Sequence, residues 1–248
     1  MKKLSILLLS CSLVYVSCSK KSSTPVIPPT TANTSAPTPS FVAGDGFLVA
    51  LNSKTKTTVF GIPSETQLGT GLAGFGNLTT RVYNSAGAIT LNTKALTKNT
   101  NNVYYFTPSI AAPTGIDLSA NINWNIAGAG TIPAFTHDAS GQGMPFVDEI
   151  NASSTTIMST SDYTLSSLSG ISNSDSVYFQ IAGPSGVVLK RKGSNTGSAL
   201  FTSAELATLG KGTGSMVIAP WNYTTKNVSG KIIYIVNETA VSKIIKIQ

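Results

Sequence analysis

Few residues of this chain have the chemistry to act on a substrate, and those few are scattered. The single histidine, His137, is followed by Asp138 and Ser140. A Ser–His–Asp site needs all three groups to converge in space. On an extended segment the adjacent His137 and Asp138 point to opposite sides. The run Ala139-Ser140-Gly141 also lacks the leading glycine of a nucleophile elbow. A zinc site wants two or more His or Cys ligands, and His137 stands alone. Asp148-Glu149 is the sole adjacent acidic pair, a thin basis for the clustered oxygens that calcium takes. A glycosidase needs two carboxylates about 5–10 Å apart. Asp138 and Glu149 are candidates, with nothing in the spacing to bring them together. The glycine-rich run Gly210-Lys211-Gly212-Thr213-Gly214 lacks the strand-to-helix context of a phosphate cradle. The expectation is a chain with no catalytic set, no metal and no cofactor.

Binding chemistry is better represented. Trp221, Asn222 and Tyr223 lie together in Pro220-Trp221-Asn222-Tyr223-Thr224. Flat rings beside an amide suit stacking on the C–H faces of a sugar, with hydrogen bonds to its hydroxyls. These three are the expected contact surface, read as a loop just past a strand. The structural alternative is that Trp221 caps the core. Lys190-Arg191-Lys192 is the one basic run, suited to an anionic glycan or headgroup or simply to a solvated strand end. Residues 41–248 carry thirteen Lys/Arg against ten Asp/Glu, a net of +3. That is no broad basic face, so nucleic acid is not an expected partner.

The remaining reactive residues sit at the start. Both cysteines, Cys11 and Cys18, fall in the first eighteen residues, so the rest of the chain has neither a disulfide nor a cysteine metal site. Lys2 and Lys3 precede an apolar run, Leu4 to Val16, with Ser17-Cys18 after it. This is the layout of a secretory signal, too short to span a bilayer, which takes about 20 residues. The segment Val14-Tyr15-Val16-Ser17-Cys18 resembles a bacterial lipobox. That resemblance implies removal of residues 1–17 and acylation of Cys18, anchoring the chain to a membrane of the cell envelope, the outer membrane above all. Several acyl chains hold where one binds only marginally. Residues 18–40 follow as a tether, with Pro25, Pro28, Pro29, Pro37 and Pro39 among Ser, Thr and Ala. Such a segment cannot bury enough apolar surface to fold. At ~3.1 Å per residue it reaches ~70 Å at most. Lys20 and Lys21 stand where surface-directed lipoproteins carry acids, which leaves periplasm-facing and surface-facing positions both open.

The elements that must position Trp221 and its neighbours are strands. Ile122, Trp124 and Ile126 alternate with Asn121, Asn123 and Asn125, a period of two with one buried face. Val177, Phe179 and Ile181 alternate likewise. Phe47–Leu51 and Thr57–Phe60 read as two strands joined by Asn52–Lys56, and Thr66–Gly76 reads as a glycine-rich loop. Thr79–Tyr83 and Ala88–Leu91 read as a hairpin about Asn84-Ser85-Ala86-Gly87. Thr202-Ser203-Ala204-Glu205 fits a capping box before a short helical turn, with Leu206 and Leu209 inward and Gly210 ending it. Ile232–Val236 and Val241–Ile247 read as two further strands, the first central. Short strands separated by turn signals imply an all-β chain of two β-sandwich domains in tandem, at 41–145 and 146–248.

The C-terminal half resembles an immunoglobulin or fibronectin type III-like domain. The likeness rests on Leu206-x-x-Leu209-Gly210, then Gly214-x-Met216-x-Ile218-Ala219 and Asn222, then a final hairpin. Met216 stands where the fibronectin-like pattern has Tyr. The whole chain resembles uncharacterised lipoproteins of glycan-foraging diderm bacteria, through a Trp-x-x-x-Gly-x-Gly-x-Ile-Pro-x-Phe run at Trp124–Phe135. Asp175-Ser176-Val177 resembles a bacterial O-glycosylation acceptor. The absence of a catalytic set, the Trp221-Asn222-Tyr223 segment and the lipobox resemblance lead to the expectation of a non-catalytic, lipid-anchored envelope protein that binds a glycan or an envelope protein partner. The alternatives are a structural envelope component and, third, a hydrolase.

Overall fold

A computed structural model describes residues 41, 43–59, 62–110, 112–151 and 155–248. The signal, Cys18 and the tether lie outside them. In chain order the elements are β1 (Gly46–Val59), β2 (Ile62–Asn77), β3 (Val82–Asn84), β4 (Ile89–Leu91), β5 (Lys94–Ala95), β6 (Thr97–Lys98), β7 (Tyr104–Tyr105), β8 (Asn123–Ile126) and β9 (Phe135–Asp138). There follow β10 (Phe146–Val147), β11 (Thr156–Ile157), β12 (Tyr163–Ser166), β13 (Ile171–Ser172), β14 (Ser176–Gly183), β15 (Gly186–Lys192), β16 (Ser198–Phe201), α1 (Ser203–Ala207), β17 (Gly212–Val228) and β18 (Lys231–Ile247). The chain is all-β. Among the described residues no helix is long and apolar enough to cross a membrane.

One large sheet organises the molecule. Its order is β15-β14-β17-β18-β1-β2-β7-β6, with β11 also paired to β18 and β3 to β2. β17 and β18 form a hairpin of two 17-residue strands. β1 runs parallel to β18 from Gly46↔Ile233 to Lys56↔Lys243. The hairpin therefore links the two halves of the chain through one sheet.

Two cores pack on the same face of that sheet. Leu48, Ala50, Ala73, Phe75, Ile233 and Ile235 meet Ile89, Leu91, Trp124 and Ile126 from the sheet β5-β4-β8-β9. Val177, Phe179, Ile181, Met216, Ile218, Val241 and Ile245 meet Leu165, Ala199 and Phe201 from the sheet β12-β16, with Leu206 of α1. Ile122, Trp124 and Ile126 are 1–2% exposed, so their alternation is the burial pattern. The capping box at Thr202 and Glu205 forms, and Leu206 and Leu209 are fully buried.

Between the cores lies a polar waist. Asn222 and Asn237 face each other across the hairpin. Asn222 Nδ2 donates to the carbonyls of Asn173 (2.9 Å) and Gly143 (3.2 Å), and Gln142 Nε2 donates to Asn222 Oδ1. Asn237 Nδ2 donates to the Gly143 carbonyl at 3.0 Å. Loop 139–144 is thereby clamped to the sheet. Buried backbone carbonyls need such donors, and each one left without a partner costs about 1–3 kcal/mol.

Several expectations change. Asn52–Lys56 is not a turn but the middle of β1, and Thr66–Gly76 is not a loop but part of β2. The glycines of β2 answer to close neighbours. A Cβ on Gly69 would meet the Ile116 carbonyl oxygen at 1.8 Å, and one on Gly74 would meet the Phe47 ring at 2.8 Å. Ile232–Val236 and Val241–Ile247 are one strand, joined through Asn237-Glu238-Thr239. Asn84–Gly87 is no hairpin turn either, because β3 pairs with β2 while β4 pairs with β5 and β8. That segment carries the chain from one sheet to the other.

Candidate functional site

Trp221, Asn222 and Tyr223 lie inside β17 rather than in a loop. Alternation therefore divides them. Asn222 turns to the waist and is 6% exposed. Trp221 and Tyr223 turn to the opposite face of the large sheet, away from both cores. Trp221 is 1% exposed and Tyr223 42%.

That opposite face carries an aromatic cluster. Phe41 stacks on Tyr234 at 4.0 Å between ring centroids. It also meets Trp221 edge-on at 6.1 Å and Tyr223 at 5.7 Å. Tyr178 stacks on Trp221 from β14 at 6.0 Å. Arg191 of β15 lies over the Trp221 ring, 4.9 Å from its centroid, and its Nε donates to Ser176 Oγ at 3.2 Å. Aromatic pairs at such distances add about 0.5–1.5 kcal/mol each beyond burial. The guanidinium–indole contact adds about 0.5–1 kcal/mol at an exposed site.

These side chains border an open groove of about 600 Å³, lined by Asp175, Ser176, Arg191, Tyr223, Thr224, Thr225 and Tyr234. Asp175 Oδ2 accepts from the Tyr223 backbone N–H at 2.9 Å. The groove thus offers ring faces, two threonines, a guanidinium and a carboxylate. β14 ends its pairing with β17 at Ser176↔Trp221. Beyond that point, β17 from Tyr223 to Val228 has β18 as its one strand partner among the described residues.

The basic run resolves into separate roles. Lys190 turns to the core side, lies over Phe201 at 5.2 Å and pairs with Glu205 at 2.7 Å. Arg191 turns to the groove. Ser176 is 5% exposed and hydrogen-bonded to Arg191, so the folded chain does not present it for glycosylation.

The same sheet face holds Glu238, directly between Trp221 of β17 and Leu51 of β1. It is fully buried, and neither carboxylate oxygen has a hydrogen-bond partner. Burial pushes its carboxyl well above the ordinary carboxylate range.

Of the residues weighed for catalysis, Asp138 and Ser140 are brought together, while His137 is turned away from Asp138. His137 and Asp138 follow one another along β9 and point to opposite faces. Ser140 Oγ accepts from the Ile122 N–H, and Asp138 Oδ1 from the Ser140 N–H. His137 is held below its usual range, chiefly by burial and secondly by the Lys226 charge, with Asp138 opposing. Asp148 Oδ1 accepts from the Ser169 N–H. Among the described residues no group of three or more His, Cys, Asp or Glu is arranged to hold a metal. A second groove, about 320 Å³, is lined by Asn92, Thr93, Asp117, Ala120, Asn121 and Asn123. Asn92 is committed there to structure. Its amide bridges the Asp117 and Asn121 carbonyls and the Asn123 N–H.

Asp175 and Tyr234 do not stand out in the sequence as contact residues, and Arg191 does so only within the basic run Lys190-Arg191-Lys192. They reach Tyr223 only through pairings between β14, β15, β17 and β18, which together run from Ser176 to Ile247. The signal that was present is the aromatic at Tyr234 and the arginine at 191, each at a strand position facing away from the cores. No family model matches this chain, and neither a curated protein nor a solved structure does.

Proposed function

We propose that this chain is a non-catalytic binding module that holds a glycan in the groove bordered by Tyr223, Tyr234, Arg191 and Asp175. The observation that carries the reading is the half-exposed Tyr223 ring, buttressed by Trp221 and Phe41, beside an arginine and an aspartate in one groove. Rings supply the faces that sugar C–H groups stack on. Asp175 accepts from hydroxyls, Arg191 donates to them, and Thr224 and Thr225 do either. Trp221 and Tyr223 remain the residues proposed for binding, Trp221 as the buried support. Asn222 belongs to the waist.

The address proposed with it is the bacterial cell envelope. Residues 1–17 are removed, Cys18 carries the acyl chains, and residues 18–40 hold the folded part off the outer membrane. In the same reading, 41–145 and 146–248 are two β-sandwich units, the second immunoglobulin-like. Two cores support two units, although the first also takes Val228, Ile233 and Ile235 from 146–248. The membrane, through Cys18, and the glycan are the partners, with no cofactor. A structural role with an envelope protein partner is the second reading. The one-sided pairing of β17 from Tyr223 to Val228 favours it, because a partner strand adds to such an edge.

Glycan arrays followed by calorimetry test the first reading. The expected result is a saccharide bound by the wild type and bound at least ~10-fold more weakly, about 1.4 kcal/mol, by Tyr223→Ala. A panel without a bound glycan, together with a stable co-purified protein, favours the structural role instead.

A further inference from the structure

We propose that the groove selects glycans bearing a carboxylate, the uronic acids, and that Arg191 is the residue that selects them. This rests on the reading of the groove as a glycan site and names the ligand class it takes.

In a run of three basic residues, alternation along β15 separates Arg191 from Lys190. Lys190 is committed to Glu205 and Phe201 on the core side. Arg191 alone of the three lines the groove. An arginine at a solvated strand end would sample many rotamers. Here the plane of the guanidinium is fixed by the Trp221 ring beneath it and by the Nε–H bond to Ser176. Ser176 and Trp221 are themselves buried and cross-strand neighbours, so the support is rigid. With Nε engaged, the two terminal NH₂ groups are left for a ligand. That outer edge of the fork matches the two oxygens of a carboxylate in a bidentate, charge-assisted pair.

Rigidity matters because immobilising a long, rotamer-rich side chain on binding costs conformational entropy. A fork already held in place avoids that cost. A mere contact to neutral hydroxyls would be served as well by Asn, Gln or a loose Lys. Tyr223 and Tyr234 line the same groove, so a sugar ring stacked on the half-exposed Tyr223 can set its C6 carboxylate against Arg191. Asp175 limits the charge the groove accepts. Its Oδ2 is tied to the Tyr223 N–H, and its negative charge disfavours a second anion nearby. A single carboxylate per bound sugar fits this arrangement better than a densely sulfated chain.

The test is calorimetric titration of the folded protein with oligouronides of galacturonic, glucuronic and mannuronic acid, their carboxyl-reduced neutral counterparts, and a sulfated oligosaccharide. Wild type, Arg191→Met, Arg191→Lys, Asp175→Asn and Tyr223→Ala are compared. At least one uronide should bind at least ~10-fold more tightly than its reduced counterpart, and that preference should fall as salt rises. Arg191→Met should abolish the preference, weakening the uronide at least ~10-fold more than its reduced counterpart. Arg191→Lys should restore only part of it, since an ammonium lacks the fork. Asp175→Asn should tighten uronide binding by about threefold. Equal binding of uronides and reduced sugars, with Arg191→Met unchanged, overturns the carboxylate selection but leaves the glycan site standing. Tighter binding of the sulfated sugar also overturns it. Absence of binding to every sugar, or binding indifferent to Tyr223→Ala, overturns the glycan site itself and this inference with it.

Discussion

The two faces of the β17–β18 hairpin are built from alternating residues of the same strands, yet they are organised differently. On the inner face Ile218, Val241 and Ile245 feed one core, Val228, Ile233 and Ile235 feed the other, and Asn222 and Asn237 hold the waist between. The side-chain amide nitrogens of Asn222 and Asn237 donate to a loop that they fix in place, while Asn237 Oδ1 has no partner. On the outer face Trp221, Val236 and Ala240 are equally buried, but their neighbours are rings, an arginine and the unpaired carboxylate of Glu238. The tryptophans repeat the contrast. Trp124 and Trp221 are each about 1% exposed. Trp124 sits between two sheets. Trp221 lies under Arg191 and against Tyr223 at the edge of a groove. Burial alone does not separate a core residue from one that supports a site; the neighbours do.

Substitutions can break this contrast, and they rank by expected effect. Trp124→Ala should be the most damaging, with a loss of about 3–5 kcal/mol as for other large-to-small core changes. Chemical denaturation of this variant against Trp221→Ala checks it, and the inner-face account requires Trp124→Ala to be the worse of the two.

Asn237→Ala removes donors from the Ala139 and Gly143 carbonyls. The expected cost is about 1–3 kcal/mol. Hydrogen exchange should show it first in loop 139–144 rather than within either core. Uniform loss of protection would mean that the waist does not act as a separate clamp.

Glu238 gives a pH signature. Its folded carboxyl titrates above its unfolded value of about 4.5, through burial. The folded state therefore holds the proton more tightly. That contribution to stability is full below about pH 4.5 and is lost as pH rises through the folded value. Glu238→Gln should flatten that slope and raise the melting temperature at pH 8 relative to wild type, with little change at pH 4. A melting temperature that climbs with pH in the wild type, and in parallel in the variant, would contradict the burial of an unpaired acid.

Tyr223→Ala should alter stability least, by less than about 1 kcal/mol, because the side chain is 42% exposed. Its effect should fall on glycan affinity. Outside the described residues, Cys18→Ala should abolish palmitate labelling and release the protein from membranes. An unlabelled wild type would remove the lipid anchor.

Much of the all-β character was legible, for identifiable reasons. The Ile122-Trp124-Ile126 alternation and the Thr202–Glu205 box depend on local spacing, and both appear as read. The long strands were divided because their middles are polar. Asn237-Glu238-Thr239 looks like a turn in sequence but spans the waist between two cores. The glycines of β2 looked like a loop because the carbonyl and ring that press on them come from elsewhere in the chain. The site was legible in its aromatic members only. Assigning Trp221-Asn222-Tyr223 to a loop hid the alternation that sends Asn222 inward, and Arg191 and Asp175 join Tyr223 only through strand pairing.

The central claim is that the outer face, and not the inner, is where a glycan binds. Tryptophan emission during titration with an array-identified glycan tests it most directly, because the two indoles report on the two faces. In Trp124→Phe, which retains Trp221 beneath Arg191, emission should shift saturably with the affinity found by calorimetry. In Trp221→Phe, which retains Trp124 between the sheets, it should not change. A shift carried by Trp124, or saturable binding that leaves Trp221 emission untouched, would contradict the account.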